Sequence, residues 1–422
     1  MYNYREKYTC LIFTYLRIKP CMFYFGFFFL SPGIVFSSAN LTLAPTIEQQ
    51  TSIRSFHETT ELAEIIWTDL TTHFISYYES GDYNNAHLVA QRAYNIANKN
   101  FTPNNVNTAD ALLKLGIIKQ TLGSLDEAED LLLKALLILE KNLGLNHPDL
   151  AVIMTNLGNV YFDSKHYKLS EKYHQQALKI RKNAFSKDDP AIAQSIYNLA
   201  VLYESQHQYE QAEIFYQQAI SSWSASMGAT HPYVSNALDN LSNVYNKQGK
   251  HKKATGILQR MLVLKKTIFG SQHEEVAQTL INLGLNYLEQ GAYNPASHAY
   301  EEALDIAQHV LGSSDPQLAL LMYTLANIYH TQARIEGKNH TSFEVSTIPA
   351  NNASIPMNTA QRQTALFAQA LPLYEKAAEI LDAGENETQP VLDIVLTELA
   401  MLYKEIGNID MAQAIESRIA AH

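Results

Sequence analysis

"TNLGNVYFDSKHY" occupies Thr155 to Tyr167, and forty-two residues later the chain reads "YNLAVLYESQHQY", Tyr197 to Tyr209. The same step leads to "DNLSNVYNKQGKH" at Asp239 and then to "INLGLNYLEQGAY" at Ile281. Self-similarity at a fixed period decides the architecture before any local reading does, because each copy is one supersecondary unit that buries its apolar face only against the next. Aligned on the apolar marker, the copies place Leu115, Leu157, Leu199, Leu241, Leu283 and Leu325 forty-two apart. Tyr161, Tyr203, Tyr245, Tyr287 and Tyr329 each stand four residues beyond a marker, which puts Leu and Tyr on one side of an amphipathic first helix. Small residues follow the marker at Gly158, Ala200, Ser242, Gly284 and Ala326, where a neighbouring helix can approach closely.

A second helix has its own marks. Ala128, Ser170, Ala212, Ala254 and Ala296 open it, with Ala135, Ala177, Ala219 and Ala303 two turns along the same face and Met261 in place of alanine at one joint. Turns precede the first helices: "HPDLA" at His147, "DPAIA" at Asp189, "HPYVS" at His231, "HEEVA" at His273, "DPQLA" at Asp315 and "QPVLD" at Gln389. Proline suits the first helical position, whose N–H is unsatisfied anyway, and a preceding His or Asp can cap the remaining donors. The outer copies are degenerate. Tyr77, Gly81, Tyr83, Ala86 and Ala93 keep the register of a first repeat, although His73 holds the marker place. Leu399 and Tyr403 belong to a last repeat. In the seventh repeat Lys338 stands where a small residue is expected, and the missing pair returns as Ala370 and Ala377, so an insertion separates the two helices of that repeat.

Leu and Tyr four apart, a small residue after Leu and the alanine pair of the second helix resemble the tetratricopeptide repeat. The 42-residue period with its "HP" turn is similar to the longer variant of kinesin light chains, over about Glu61 to Ala421. The resemblance implies an all-α fold, a tetratricopeptide-type α-solenoid in which about eight helix pairs form a right-handed superhelix, and a concave groove for a partner segment. It also implies that the residue before the marker faces that groove: Asn156, Asn198, Asn240 and Asn282, then Thr324, with Asn159, Asn243 and Asn327 one turn further on. Such a ladder could hold the backbone of an extended peptide, since an amide offers a donor and an acceptor. The structural alternative is that these amides bond between neighbouring helices.

The chain has 422 residues and a formal charge of −11. Basic clusters are absent apart from Lys247, Lys250, Lys252 and Lys253, which argues against a nucleic-acid footprint. Residues 1–39 differ from the rest: Arg5, Lys7, Arg17 and Lys19 precede the apolar run "CMFYFGFFFL", the breaker "SPG", and small residues at Ser37 and Ala39. This is the pattern of a secretory signal peptide, or of an anchor if uncleaved. Both cysteines, Cys10 and Cys21, lie there, so the remainder holds no disulfide or thiolate and carries a charge of −14. The expected organisation is a leader over 1–39, a linker over 40–59, and an array over 60–421 with a disordered insertion at about 335–364.

No Gly-rich phosphate loop, HExxH or GxSxG occurs, and His147, His231 and His273 fall at turns of separate repeats, where capping is their expected role rather than metal ligation. The reading is a non-enzymatic interaction scaffold, without cofactor or metal. It is exported to the periplasm or secreted, binds a protein or peptide, and meets a membrane only through residues 1–39 if these stay attached. The alternative is a cytosolic cargo adaptor like a kinesin light chain.

Overall fold

In a computed structural model the chain is described over residues 47–101, 104–339, 358–383 and 388–421, and every regular element there is a helix. The leader over 1–39 lies outside the described residues. The helices form two compact units, one running to Val244 and the other starting at Tyr245. In the first unit are α1 (Ile47–Glu79), α2 (Tyr83–Asn100), α3 (Val106–Thr121), α4 (Leu125–Leu143), α5 (Pro148–Asp163), α6 (Tyr167–Ala184), α7 (Pro190–Ser205) and α8 (Tyr209–Met227). α9 (Pro232–Lys247) contains the division. The second unit continues with α10 (His251–Phe269), α11 (Glu274–Glu289), α12 (Tyr293–Val310), α13 (Pro316–Asn339), α14 (Thr359–Asp382), α15 (Gln389–Glu405) and α16 (Ile409–Ala421). The architecture is the all-α solenoid of tandem helix pairs that the repeat predicts.

The turns define where helices start. His147, His231 and His273 each accept, through Nδ1, the backbone N–H two residues on, at 3.2–3.3 Å. Asp189 and Asp315 do the same with a carboxylate oxygen at 2.8 Å. The turn inside a pair needs a left-handed residue: Gly81, Gly123, Gly249, Gly291 and Gly407 supply it, whereas Lys165 (φ 63°) and His207 (φ 59°) adopt it with a side chain. That conformation brings Cβ against the following carbonyl and is costly for anything but glycine.

Packing within a pair is a knob set into a gap. A Cβ added to Gly116, Gly158 or Gly284 would lie 2.6–2.8 Å from Leu132, His174 and Tyr300 respectively, each four residues past the small residue that opens the second helix. The bulky side chain of one helix therefore occupies the space left by the small residue of its partner.

Packing between pairs uses the tyrosines. Their rings are buried or half-buried, and the hydroxyls donate to glutamates of the preceding pair: Tyr161 to Glu129 at 2.8 Å, Tyr203 to Glu171 at 2.7 Å, Tyr329 to Glu301 and Tyr403 to Glu375. Burial, reinforced by the carboxylate, pushes the phenols of Tyr203 and Tyr403 up to about 12, so they remain donors at physiological pH.

Three boundaries depart from expectation. α1 already begins at Ile47, inside the stretch read as a linker. α13 continues to Asn339 and α14 resumes at Thr359, so both helices enter the stretch assigned to the insertion; residues 340–357 lie outside the described residues. Gly337 and Gln363 meet there, which the shorter helices of other pairs do not provide. In the first repeat His73 is exposed and Phe74 takes the buried place, one residue from the marker position.

Replacing Gly284 by Val is expected to destabilise the chain by roughly 1–3 kcal/mol through overpacking against Tyr300. His207→Gly should stabilise by about 0.5–1 kcal/mol, by relieving the left-handed strain. Urea unfolding followed by circular dichroism measures both; equal midpoints for the three proteins would contradict this packing account.

Candidate functional site

In α7, Gln194 Nε2 donates to Asn198 Oδ1 at 2.9 Å, and in α11 Gln278 repeats the bond to Asn282 Oδ1 at 3.2 Å. Asn198 and Asn282 are both half-buried. A glutamine one turn earlier thus holds the oxygen of each amide, and the nitrogen is the group left for a further acceptor such as a peptide carbonyl. Asn240 is arranged differently: its Nδ2 donates to the Tyr197 hydroxyl at 2.8 Å, linking α9 to α7. The Tyr197 ring packs against Tyr216 and Trp223 with centroids 5.6 and 5.4 Å away, and Trp223 packs against Tyr233 at 5.1 Å. The first unit therefore sets Asn240 against a cluster of aromatic rings.

The expected ladder is interrupted elsewhere. Asn156 is only 3% exposed and donates to its own helix at Val152 O, 2.8 Å, so it cannot meet a ligand as the resemblance implied. Thr324 is likewise buried and bonded to Leu320 O. Asn327 accepts from Tyr374 Oη at 2.7 Å and belongs to a polar knot in which buried His330 meets Tyr374 and Glu405, and Arg334 holds Glu405 at 2.7 Å. Asn243 is exposed and Asn159 half-buried. The candidate face of the first unit thus comprises Asn198 with Asn240, and Asn282 holds the corresponding place in the second unit.

Several important side chains escaped the sequence reading. Asn286 is buried and receives Thr255 Oγ1 at 2.6 Å and Gln290 Nε2 at 2.9 Å, which realises the structural alternative for an asparagine in this repeat. The glutamate partners of the tyrosines had a legible signal in the first unit, since Glu129 and Glu171 both follow the small residue that opens the second helix. His174 had none: it takes a place held elsewhere by Leu132 or Leu258, and burial, with Arg181 nearby, holds its imidazole down to about 3. Among the described residues no group of three or more His, Cys, Asp or Glu could hold a metal ion, and no helix is long and apolar enough to cross a membrane.

The family model described as tetratricopeptide repeat matches residues 107–183, 189–267, 233–309 and 275–336. The chain belongs to the tetratricopeptide repeat family. Its array is a scaffold for protein–protein interaction, the role such arrays share. Similar solved structures include the kinesin light chain TPR-like repeats of Podosopora anserina, at 19% identity over 50% of this chain and 98% of that one, TM-score 0.45. BtubC (BKLC) from P. vanneervenii is 17% identical over 72% and 98%, TM-score 0.44. The apo form of the quorum sensor NprR from B. thuringiensis is 17% identical over 89% and 94%, TM-score 0.47. A comparison with curated proteins gave no match.

The buried histidine gives a pH prediction. A base whose pKa is lowered by folding excludes a proton that the unfolded chain accepts, so its contribution is complete above about 6.5 and declines as pH falls towards about 3. His174→Leu, which copies the residue at the equivalent Leu132, is expected to flatten the fall in stability between those limits while leaving the neutral-pH melt near wild type. Parallel denaturation curves at each pH test this; identical slopes would show that His174 is not the acid-sensitive group.

Proposed function

We propose that this tetratricopeptide array holds an extended segment of a partner protein along the face bearing Asn198 and Asn240, and that it does so outside the cytoplasm. The observation that carries the binding reading is the Gln194–Asn198 pair, repeated as Gln278–Asn282, because it commits the amide oxygen and leaves the nitrogen as a donor at the same place in two copies. A peptide in extended conformation carries a carbonyl at regular intervals, and the half-buried rings of Tyr197 and Tyr233, backed by the buried Trp223, supply apolar surface for its side chains. Export is supported by the basic, apolar and small-residue succession over 1–39.

Each neutral hydrogen bond contributes on the order of 0.5–1.5 kcal/mol net, so the double variant Asn198→Ala, Asn240→Ala should weaken a selected peptide by about 1–3 kcal/mol, roughly five-fold to a hundred-fold. Calorimetry with that peptide and a thermal melt of the variant form the test. Unchanged affinity rules out the amide contacts, and a collapsed melt assigns the pair to the fold. Intact-mass analysis should find a chain beginning near Asn40 in an envelope or medium fraction; full-length chain recovered from cytosol would defeat export.

A further inference from the structure

Trp223 of α8 packs against two tyrosines of the first unit, Tyr197 of α7 with centroids 5.4 Å apart and Tyr233 of α9 at 5.1 Å. The indole is closed off from water, whereas Tyr197 and Tyr233 are half-buried and keep part of each ring open. Tyr233 and Asn240 stand seven residues apart, two turns along one face of α9, with the exposed Asn236 between them. Asn240 Nδ2 donates to the Tyr197 hydroxyl at 2.8 Å, so both open rings border that face. The face of an aromatic ring is not electrically neutral, because its quadrupole presents negative charge there.

The stretch that builds these rings contributes carboxylates and no strong base. Between Lys187 and Lys247 the sequence holds Asp188, Asp189, Glu204, Glu210, Glu213 and Asp239, and neither Lys nor Arg. Glu204 accepts the hydroxyl of Tyr216 at 2.7 Å, and Tyr216 stands edge-on to Tyr197 at 5.6 Å, which puts a carboxylate directly behind the cluster. His231, 4.7 Å from Tyr233, is neutral at physiological pH: burial lowers its imidazole below the ordinary value, and its Nδ1 accepts from Tyr233 N. Arg181 reaches α7 from α6 at Ala191 and Ser195, and residues two apart on a helix do not share a face, so its guanidinium lies away from Tyr197. Elsewhere the chain sets its own lysines over comparable rings. Lys114 Nζ stands 5.9 Å from the centre of Trp67, Lys172 5.6 Å from Tyr173 and Lys253 5.1 Å from Tyr245.

We infer that the open faces of Tyr197 and Tyr233 receive a cationic side chain, Lys or Arg, of the bound segment. This deepens the proposed function and rests on it: the partner segment is basic at the one place that meets the cluster. A cation over a ring partly shielded from water gains more than one over a ring in full solvent, and the buried Trp223 and the carboxylate of Glu204 strengthen the attraction from behind. The methylene stem of Lys or Arg covers the apolar part of the rings while its head stays near water. A charge of −14 outside residues 1–39 draws a basic segment in from a distance.

The test uses the full chain and a synthetic library of decapeptides. Peptides retained by wild type are resynthesised with each Lys changed to acetyl-lysine and each Arg to citrulline, which removes the charge and keeps the length. The expected result is a loss of roughly two-fold to thirty-fold at one position of the peptide. The double variant Tyr197→Phe, Tyr233→Phe keeps the rings and should keep that preference. Tyr197→Leu, Tyr233→Leu removes the same hydroxyls and the rings as well, and should bring the preference to near unity. If the leucine variant fails to melt cooperatively, stepwise fluorination of the rings introduced by Tyr197→Phe and Tyr233→Phe decides, since fluorine drains the negative face of a ring and leaves its shape nearly unchanged. It should weaken the charged peptide step by step relative to the neutral one; an equal response of both peptides overturns the inference. Retained peptides indifferent to charge removal, or a preference that survives in the leucine variant, also overturn it while the extended-segment reading stands. Failure of wild type to retain any peptide overturns both.

Discussion

A helix pair of this chain cannot bury its apolar side alone. The small residue after each marker leucine leaves a gap on the first helix, the bulky residue of the second helix fills it, and what remains apolar is covered only by the neighbouring pair. Everything else follows from that constraint. It explains why the sequence repeats, why Gly158 and Gly284 lie under ring systems, and why Tyr161, Tyr203, Tyr329 and Tyr403 reach back to a glutamate of the copy before, while Tyr287 receives Gln259 there. Tyr161 and Tyr203 bond one glutamate register, whereas Tyr329 and Tyr403 bond a glutamate one turn further along, so the same latch is kept with a shifted acceptor.

Much of this was legible because burial imposes a period on composition. Leucine, tyrosine and alanine recur every forty-two residues because each sits in a contact that every copy must make. The caps were equally readable, since an oxygen or an imidazole nitrogen before a helix start has one common use there. The first repeat misled by one residue, with Phe74 packing where His73 was aligned, because a terminal pair packs against one neighbour only and its register is less constrained. The extensions of α13 and α14 were hidden because their residues follow no period shared with other copies.

The candidate site was only partly legible, and for a physical reason. An asparagine before the marker looks the same in sequence whether it meets solvent, as at Asn198, or turns into its own helix, as at Asn156. What separates them is the neighbour one turn earlier: Gln194 and Gln278 hold an amide oxygen, while Val152 offers only its backbone carbonyl. Likewise Asn327 is drawn into the knot around His330 by Tyr374, whose place in the sequence lies beyond the insertion. Polar residues in this array thus divide between those turned into the fold, as at Asn156 and Asn327, and those with a donor remaining, as at Asn198 and Asn282, while Asn240 is tied to Tyr197 beside them.

The central claim is that the face of α7 carrying Asn198 receives the partner. Its most direct test is site-specific photo-crosslinking in living cells, with a photoreactive residue placed at the half-buried Ala191, one turn before Gln194 on that face, and, separately, at the exposed Gln218 of α8. The account predicts one defined crosslinked product from position 191, lost when Asn198 is also changed to alanine, and none from position 218. The same product from both positions, or from position 218 alone, would contradict it.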